Sequence, residues 1–313
     1  MEEKIEIMTL LQSKQILQHQ LNSLIYGAVE IREANNTKYI YVHYREDGIS
    51  LSKYVGEYTD ELYNLVLNNS IKAKELKKQI REITKKLKNL NYIEEKLDSK
   101  VELNIDFAKR HLVDTIYKQA ILEGVATTFA DTESIIEGGK VNNMTSEDIL
   151  KIINLKHAWE FILNKNVILS ETNFALLCQI NKIVEEGFYY TAGKVRNVPV
   201  SIGGTKWTPP IPIETVIKEE LEEIFIKEID DVDKAVELLL YIMKKQIFID
   251  GNKRTSVIFI NHYLISKGKG IIVIPTELTE EFKNLLISYY EGNYDGKITE
   301  FIKEKCYIRM NTK

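Results

Sequence analysis

The sequence predicts a mainly α protein: a helical bundle carrying a β-hairpin and preceded by a helix–β-meander–helix module. Three observations point there. Through most of the chain, apolar residues recur at steps of three and four, the period of an amphipathic helix. From Val29 to Tyr58 the pattern becomes three short runs rich in Val, Ile and Tyr, separated by turn residues. From Gly193 to Pro212 charge, alternation and a Gly–Gly pair again replace helical spacing, which predicts a short hairpin.

The amino-terminal module spans residues 1–100. Ile7, Leu10, Leu17, Leu21 and Leu24 make the stripe of its first helix. The runs VEIREA, KYIYVHYRE and SKYVGEY follow, with NNT and EDG between them, and predict an antiparallel meander. Helix returns from Thr59, where Ala73, Leu76, Ile80, Ile83, Leu87 and Leu90 keep a seven-residue seam. Lys72, Lys74, Lys77, Lys78, Arg81, Lys85, Lys86 and Lys88 fall mostly where that seam leaves the surface open. They read as a solvated face rather than a nucleic-acid footprint. Tyr39, Tyr41 and Tyr44 read as strand residues packed against a helix. The module is expected to mediate interaction or homodimerisation through its two helices.

The polar segment Asp98–Asn104 reads as the junction to a second domain, residues 101–313. Phe107, Leu112, Ile116 and Ile121 restore helical spacing, and FADTESIIEGGK follows, ending a helix near residues 121–138. Thr145 or Ser146 caps the next helix, in which His157 reads as packed beside Trp159 and Phe161. In the expected hairpin, Val198, Val200 and Ile202 alternate sides and Gly203 and Gly204 make the turn. Two amphipathic helices close the chain, with Phe282, Tyr289 and Tyr290 as core residues.

The stretch of greatest chemical interest is QIFIDGNKRTSV, residues 246–257. Val236, Leu239, Leu240, Ile242 and Met243 form a helical stripe before it, and Val257, Ile258, Ile260, Leu264 and Ile265 form another after it, so the stretch is a turn between helices. Backbone N–H groups at the start of the second helix favour an anion. Lys253 and Arg254 add positive charge, and the opposing carboxylate of Asp250 makes sense if a divalent cation bridges it to phosphates.

These residues resemble the active-site loop of the Fic/Doc family, HxFx(D/E)GNxRxxR, whose common reaction moves AMP from ATP onto a target hydroxyl. By position, the resemblance implies Phe248 as core anchor and Asp250 as magnesium ligand. It implies Gly251, Asn252, Lys253 and Thr255 around the nucleotide phosphates and Arg254 as the cation on them. The family's proton-accepting histidine falls on Gln246, and its second arginine falls on Val257. Glu137 and Gly138 fit the end of the family's regulatory pattern, (S/T)xxxE(G/N), with Glu133 at the Ser/Thr position. Residues 193–212 resemble the flap that holds a target segment by strand addition. ATP and magnesium are the implied substrate and cofactor, and a protein with a Ser, Thr or Tyr hydroxyl is the implied partner. The amino-terminal module resembles an extension found on some bacterial members. The alternatives are a nucleotide-binding regulator without turnover and a Doc-like protein kinase.

Composition limits the other classes. With 313 residues, 44% of them hydrophobic, the chain has material for one large or two ordinary domains and a real core. A net charge of −4 supplies no general basic field for nucleic acid or membrane surfaces. Cys178 and Cys306 are far apart and lack metal-ligand spacing, and no apolar run reaches membrane-spanning length. A cytoplasmic protein is expected.

Overall fold

In a computed structural model of the chain, residues 2–34, 37–46, 49–90, 92 and 97–310 are described. The chain divides into two compact units: Thr9–Ile93, and a larger one of Met1–Met8 with Glu94–Lys313.

The smaller unit takes most of helix α1 (Glu2–Asn22), strands β1 (Ala28–Ala34), β2 (Thr37–Glu46) and β3 (Ile49–Glu57), and helix α2 (Asp60–Asn89). The strands pair antiparallel in the order β1-β2-β3, as the meander reading predicts. Of the expected turn residues, Asn35, Asn36, Asp47 and Gly48 lie outside the described residues. Alternation buries Ile40 and Val42 on one face of β2. On the other face Tyr39 and Tyr41 pack across the strands onto Tyr54, at ring distances of 6.1 and 5.4 Å. Thr59 caps α2 by accepting a bond from the Leu62 N–H (3.1 Å), and Val66, Ala73, Leu76 and Leu87 are its buried positions. All eight cations of the α2 run are exposed.

The larger unit is a helical bundle. Its elements are α3 (Ser99–Arg110), α4 (Leu112–Leu122), α5 (Phe129–Ile136), α6 (Ser146–Ile162), α7 (Lys165–Ile168), α8 (Phe174–Val184), α9 (Glu214–Ile226), α10 (Asp231–Lys245), α11 (Asn252–Ser266), α12 (Thr279–Tyr290) and α13 (Lys297–Phe301). Two short strands that the sequence did not announce, β4 (Ile271–Ile272) and β5 (Tyr307–Ile308), pair antiparallel. Helix α11 is the bundle's centre: apart from Lys253 and Ser266, every residue in it is buried. A helix apolar or hydrogen-bonded all round its circumference can sit only there. His262 shows how the polar positions comply, its ring nitrogens lying 2.8 Å from the Thr172 hydroxyl and 2.9 Å from the Val167 carbonyl.

Three sequence expectations are corrected. A boundary between residues 100 and 101 would cut α3, because the polar segment 98–104 is helix start and buried bracket. Asp98 caps the Lys100 N–H (2.8 Å), and buried Asn104 accepts from the Gly270 N–H (2.7 Å). His157 is exposed rather than packed, because the buried face of α6 runs through Leu155, Ala158 and Trp159.

The third correction is the hairpin. Residues 197–213 hold a turn at Gly203–Gly204 but no strand. Pro199, Pro209, Pro210 and Pro212 have no N–H to give a ladder. The carbonyls of Val198 and Pro210 instead accept bonds of 2.7 Å from the guanidinium of Arg196, and that of Pro209 accepts one of 3.4 Å. Val198 is exposed, Val200 and Ile202 are half-buried, and none of the three lies in a strand.

Candidate functional site

Helix α10 ends and α11 begins across a six-residue turn with two left-handed residues. Gln246 at φ +47° closes α10 and Gly251 at φ +71° opens α11. Between them Phe248 is buried to 1% exposure and anchors the loop in the core. The Asn252 side chain folds back over it, accepting from the Phe248 N–H (2.9 Å) and donating to the Phe248 carbonyl (2.8 Å) and to Gln246 Oε1 (3.2 Å). Two residues from other helices fix the outside of the loop. Asn181 on α8 donates to the Asp250 carbonyl (3.0 Å) and the Thr255 hydroxyl (3.1 Å), while Gln119 on α4 donates to the Arg254 carbonyl (2.9 Å). The start of α11 has no side-chain cap, so its first N–H groups stay available to an anion.

Charge converges on one guanidinium. Arg254 is 3% exposed in its side chain and faces three carboxylates: Glu185 Oε1 at 2.9 Å and Asp250 Oδ2 at 3.3 Å from Nη2, and Glu123 Oε2 at 3.6 Å from Nε. Lys253 Nζ lies 3.7 Å from Glu123. The Asp250 contact is a hydrogen bond, whereas those to Glu185 and Glu123 are ion pairs by proximity more than hydrogen bonds by direction. Arg254 Nε and Nη1, Glu123 Oε1 and both oxygens of Glu185 are buried with no hydrogen-bond partner. The Glu185 contact is short but off the N–H axis. Burial pushes the Glu185 carboxyl up to about 7, against the pull of Arg254 and with a further push from Asp250 and Glu123. Burial, and then the charge of Glu123, also raise the Tyr290 hydroxyl. The Tyr290 ring stacks on Trp207 at 5.8 Å.

Orphaned buried groups of both signs mark a place built for a ligand more than for stability. A phosphate chain with a cation matches them: the anion would satisfy Arg254 and the helix start, and the cation would sit with Asp250, whose carboxylate is 52% exposed. Among the described residues no group of three His, Cys, Asp or Glu side chains is arranged to hold a metal alone. A cation here would need phosphate and water oxygens as well, which is the habit of magnesium. A cleft of about 930 Å³ lies elsewhere, bordered by Phe174, Lys218, Phe225 and Tyr263. It lacks the convergent unsatisfied groups, so the loop remains the better candidate.

Residues 171–264, from the approach to α8 into α11, match the Fic/DOC family. Solved structures of Fic proteins share the fold. Fic-1 (residues 134–508) from C. elegans is 16% identical, with a TM-score of 0.52 over 78% of this chain and 77% of that one. A Fic domain containing signaling protein from Bacteroides thetaiotaomicron VPI-5482 is 18% identical, with a TM-score of 0.54 over 66% and 85%. A Fic family protein from Desulfovibrio desulfuricans G20 is 13% identical, with a TM-score of 0.52 over 67% and 72%. Residues 171–264 thus carry the Fic/DOC match, and the chain has the fold of these Fic structures. No curated protein matches its sequence.

Within this matched stretch the structure brings together Gln246, Asp250, Gly251, Asn252, Lys253 and Arg254, and leaves others out. Thr255 is fully buried, its N–H bonded to the Gly251 carbonyl (2.8 Å) and its hydroxyl to Asn181, so it supports the loop from below. Val257, at the second arginine position, is 2% exposed and belongs to the core. Glu137 and Gly138 are exposed at the end of α5, with Gly138 at φ +81°, and form an ordinary helix stop.

The acids that reach the site are Glu123 and Glu185, neither of which the sequence reading singled out. For Glu123 a signal existed: Gln119 to Gly124, QAILEG, has the same spacing and the same E–G ending, with Gln119 at the Ser/Thr position. For Glu185 there was none, since only the packing of α8 on α11 carries it to a residue so distant in the chain.

Proposed function

We propose that this Fic domain is a magnesium-dependent nucleotidyltransferase site of the AMP-moving type, held at low activity by its own side chains. What supports the reading is Arg254: a buried guanidinium with unmet N–H groups, at the mouth of an uncapped helix start, on the motif that matches the family. The N–H groups of Asn252 and Lys253 and the Arg254 side chain would take the negative charge of the phosphates, the dominant task in such chemistry. Asp250 would hold magnesium, which when bound draws charge from the leaving pyrophosphate. Residues 197–213, with Val198, Val200, Ile202, Gly203 and Gly204, would present the target segment beside the loop.

The proton of the attacking hydroxyl is the weak point. Gln246 has no basic atom, and both ends of its amide are engaged, Nε2 with the Met243 carbonyl (2.6 Å) and Oε1 with Asn252. Losing a general base costs about two to four powers of ten in rate. The same observation favours a second reading, a nucleotide-binding docking protein without turnover.

Incubation with ATP labelled at the alpha or the gamma phosphate separates these readings. Transfer of the alpha label to protein, stronger in Gln246→His than in the wild type, is the expected result. Gamma label on protein would mean phosphorylation, and no label from either would favour the docking protein.

A further inference from the structure

We infer that Glu185 is a second internal occupant of the anion site, reaching it from α8 independently of Glu123, so that an incoming nucleotide must displace its carboxylate to reach Arg254 and the start of α11. The inference rests on the nucleotide reading above and adds the residue that decides how readily a phosphate chain enters.

Position carries the argument. The Glu185 side chain is 2% exposed, and one of its oxygens lies against Gly251, so close that a Cβ on that glycine would collide with it. Gly251 opens α11, where unpaired N–H groups favour negative charge, so a carboxylate already stands where a phosphate would settle.

Apart from the 2.9 Å ion pair with Arg254, the placement does little for Glu185 itself. Neither oxygen has a hydrogen-bond partner, although buried carboxylates kept for stability are normally satisfied. The residue also closes the carboxyl end of α8, the negative end of the helix dipole, where an acid is disfavoured. Glu123 repeats the arrangement at the carboxyl end of α4. Two helices thus each aim a C-terminal glutamate at the same guanidinium, Glu185 at Nη2 and Glu123 at Nε. One arginine and two carboxylates leave little net attraction for a polyphosphate. Withdrawing either acid uncovers part of Arg254, and withdrawing both uncovers all of it.

Binding of an ATP analogue carrying a fluorophore on the adenine, followed by anisotropy in excess magnesium, tests this. The proteins compared are the wild type, Glu123→Gln, Glu185→Gln and the double variant, each checked for a cooperative thermal transition. At pH 8, where Glu185 is ionised, removing a like charge at this range is expected to tighten binding about tenfold in Glu185→Gln, and more in the double variant than in either single one. Glu185→Ala keeps the test decisive if the glutamine refills the same space, since a gain in either Glu185 variant supports displacement. Wild-type affinity in both Glu185 variants, with a gain in Glu123→Gln, would overturn the role of Glu185 and leave the nucleotide site standing. No binding in any of the proteins would overturn the nucleotide site and this inference together.

Discussion

Gly251 carries two constraints at once, a left-handed backbone and a carboxylate pressed against the place of its missing side chain. Gly251→Ala is therefore expected to destabilise the protein by about 1–3 kcal/mol in urea unfolding, and by less when Glu185→Ala has removed the colliding group. Glu185 also gives stability a pH signature. Its acid is held at about 7 in the fold against an ordinary value of 4.5, so between those values the folded chain binds more protons than the unfolded one. Stability contributed by the protonated form is complete below pH 4.5 and is lost as pH rises to about 7. Across that window the urea midpoint of the wild type should fall relative to that of Glu185→Gln; parallel curves would show an acid that is not raised. At this scale the sequence was legible where chemistry is local: Phe248 as anchor, Asp250 and Arg254 as neighbours of a helix start. It was silent where charge arrives from another helix, as with Glu185, and Thr255 was misplaced because the helical turn points it into the core.

Among the elements, the helices were the most legible, because an amphipathic stripe and a cap residue are both local signals. Thr59 and Thr145 cap α2 and α6 through bonds to the N–H groups of Leu62 and Asp148. The segment after Gly193 was read as a hairpin because alternation and paired glycines are hairpin signals, but those signals do not count N–H donors. Four prolines remove them, and Arg196 supplies the cross-link in their place. Its Nε also donates to the Gln246 carbonyl (2.6 Å), and its own N–H donates to the Ile247 carbonyl (3.0 Å), which ties the segment to the loop. Arg196→Leu would leave several part-buried carbonyls without their donor, and urea unfolding should show a loss of about 1–3 kcal/mol, with Arg196→Lys intermediate because it cannot fork. The basic run of α2 should behave in the opposite way. Lys74, Lys78 and Lys85 changed together to Glu are expected to shift stability by only about 0.5 kcal/mol per site and to leave nucleotide binding unchanged.

For the molecule as a whole, composition left one large or two ordinary domains open, and the chain divides into two units, Thr9–Ile93 and Met1–Met8 with Glu94–Lys313. The polarity of residues 98–104 suggested a linker, whereas it comes from a cap and a buried bracket within α3. The smaller unit, with its meander and long basic helix, remains our candidate for partner or self-association. Sedimentation of the full chain at several concentrations would reveal a dimer as a concentration-dependent mass. The larger unit places one loop, two helix-end glutamates and one buried arginine at a single point, and everything proposed about function depends on that point receiving a nucleotide's phosphates. Calorimetric titration of magnesium-ATP into the wild type, Asp250→Ala and Arg254→Ala tests this most directly. The account predicts saturable binding to the wild type that both substitutions abolish; binding that survives the loss of Arg254 would contradict it.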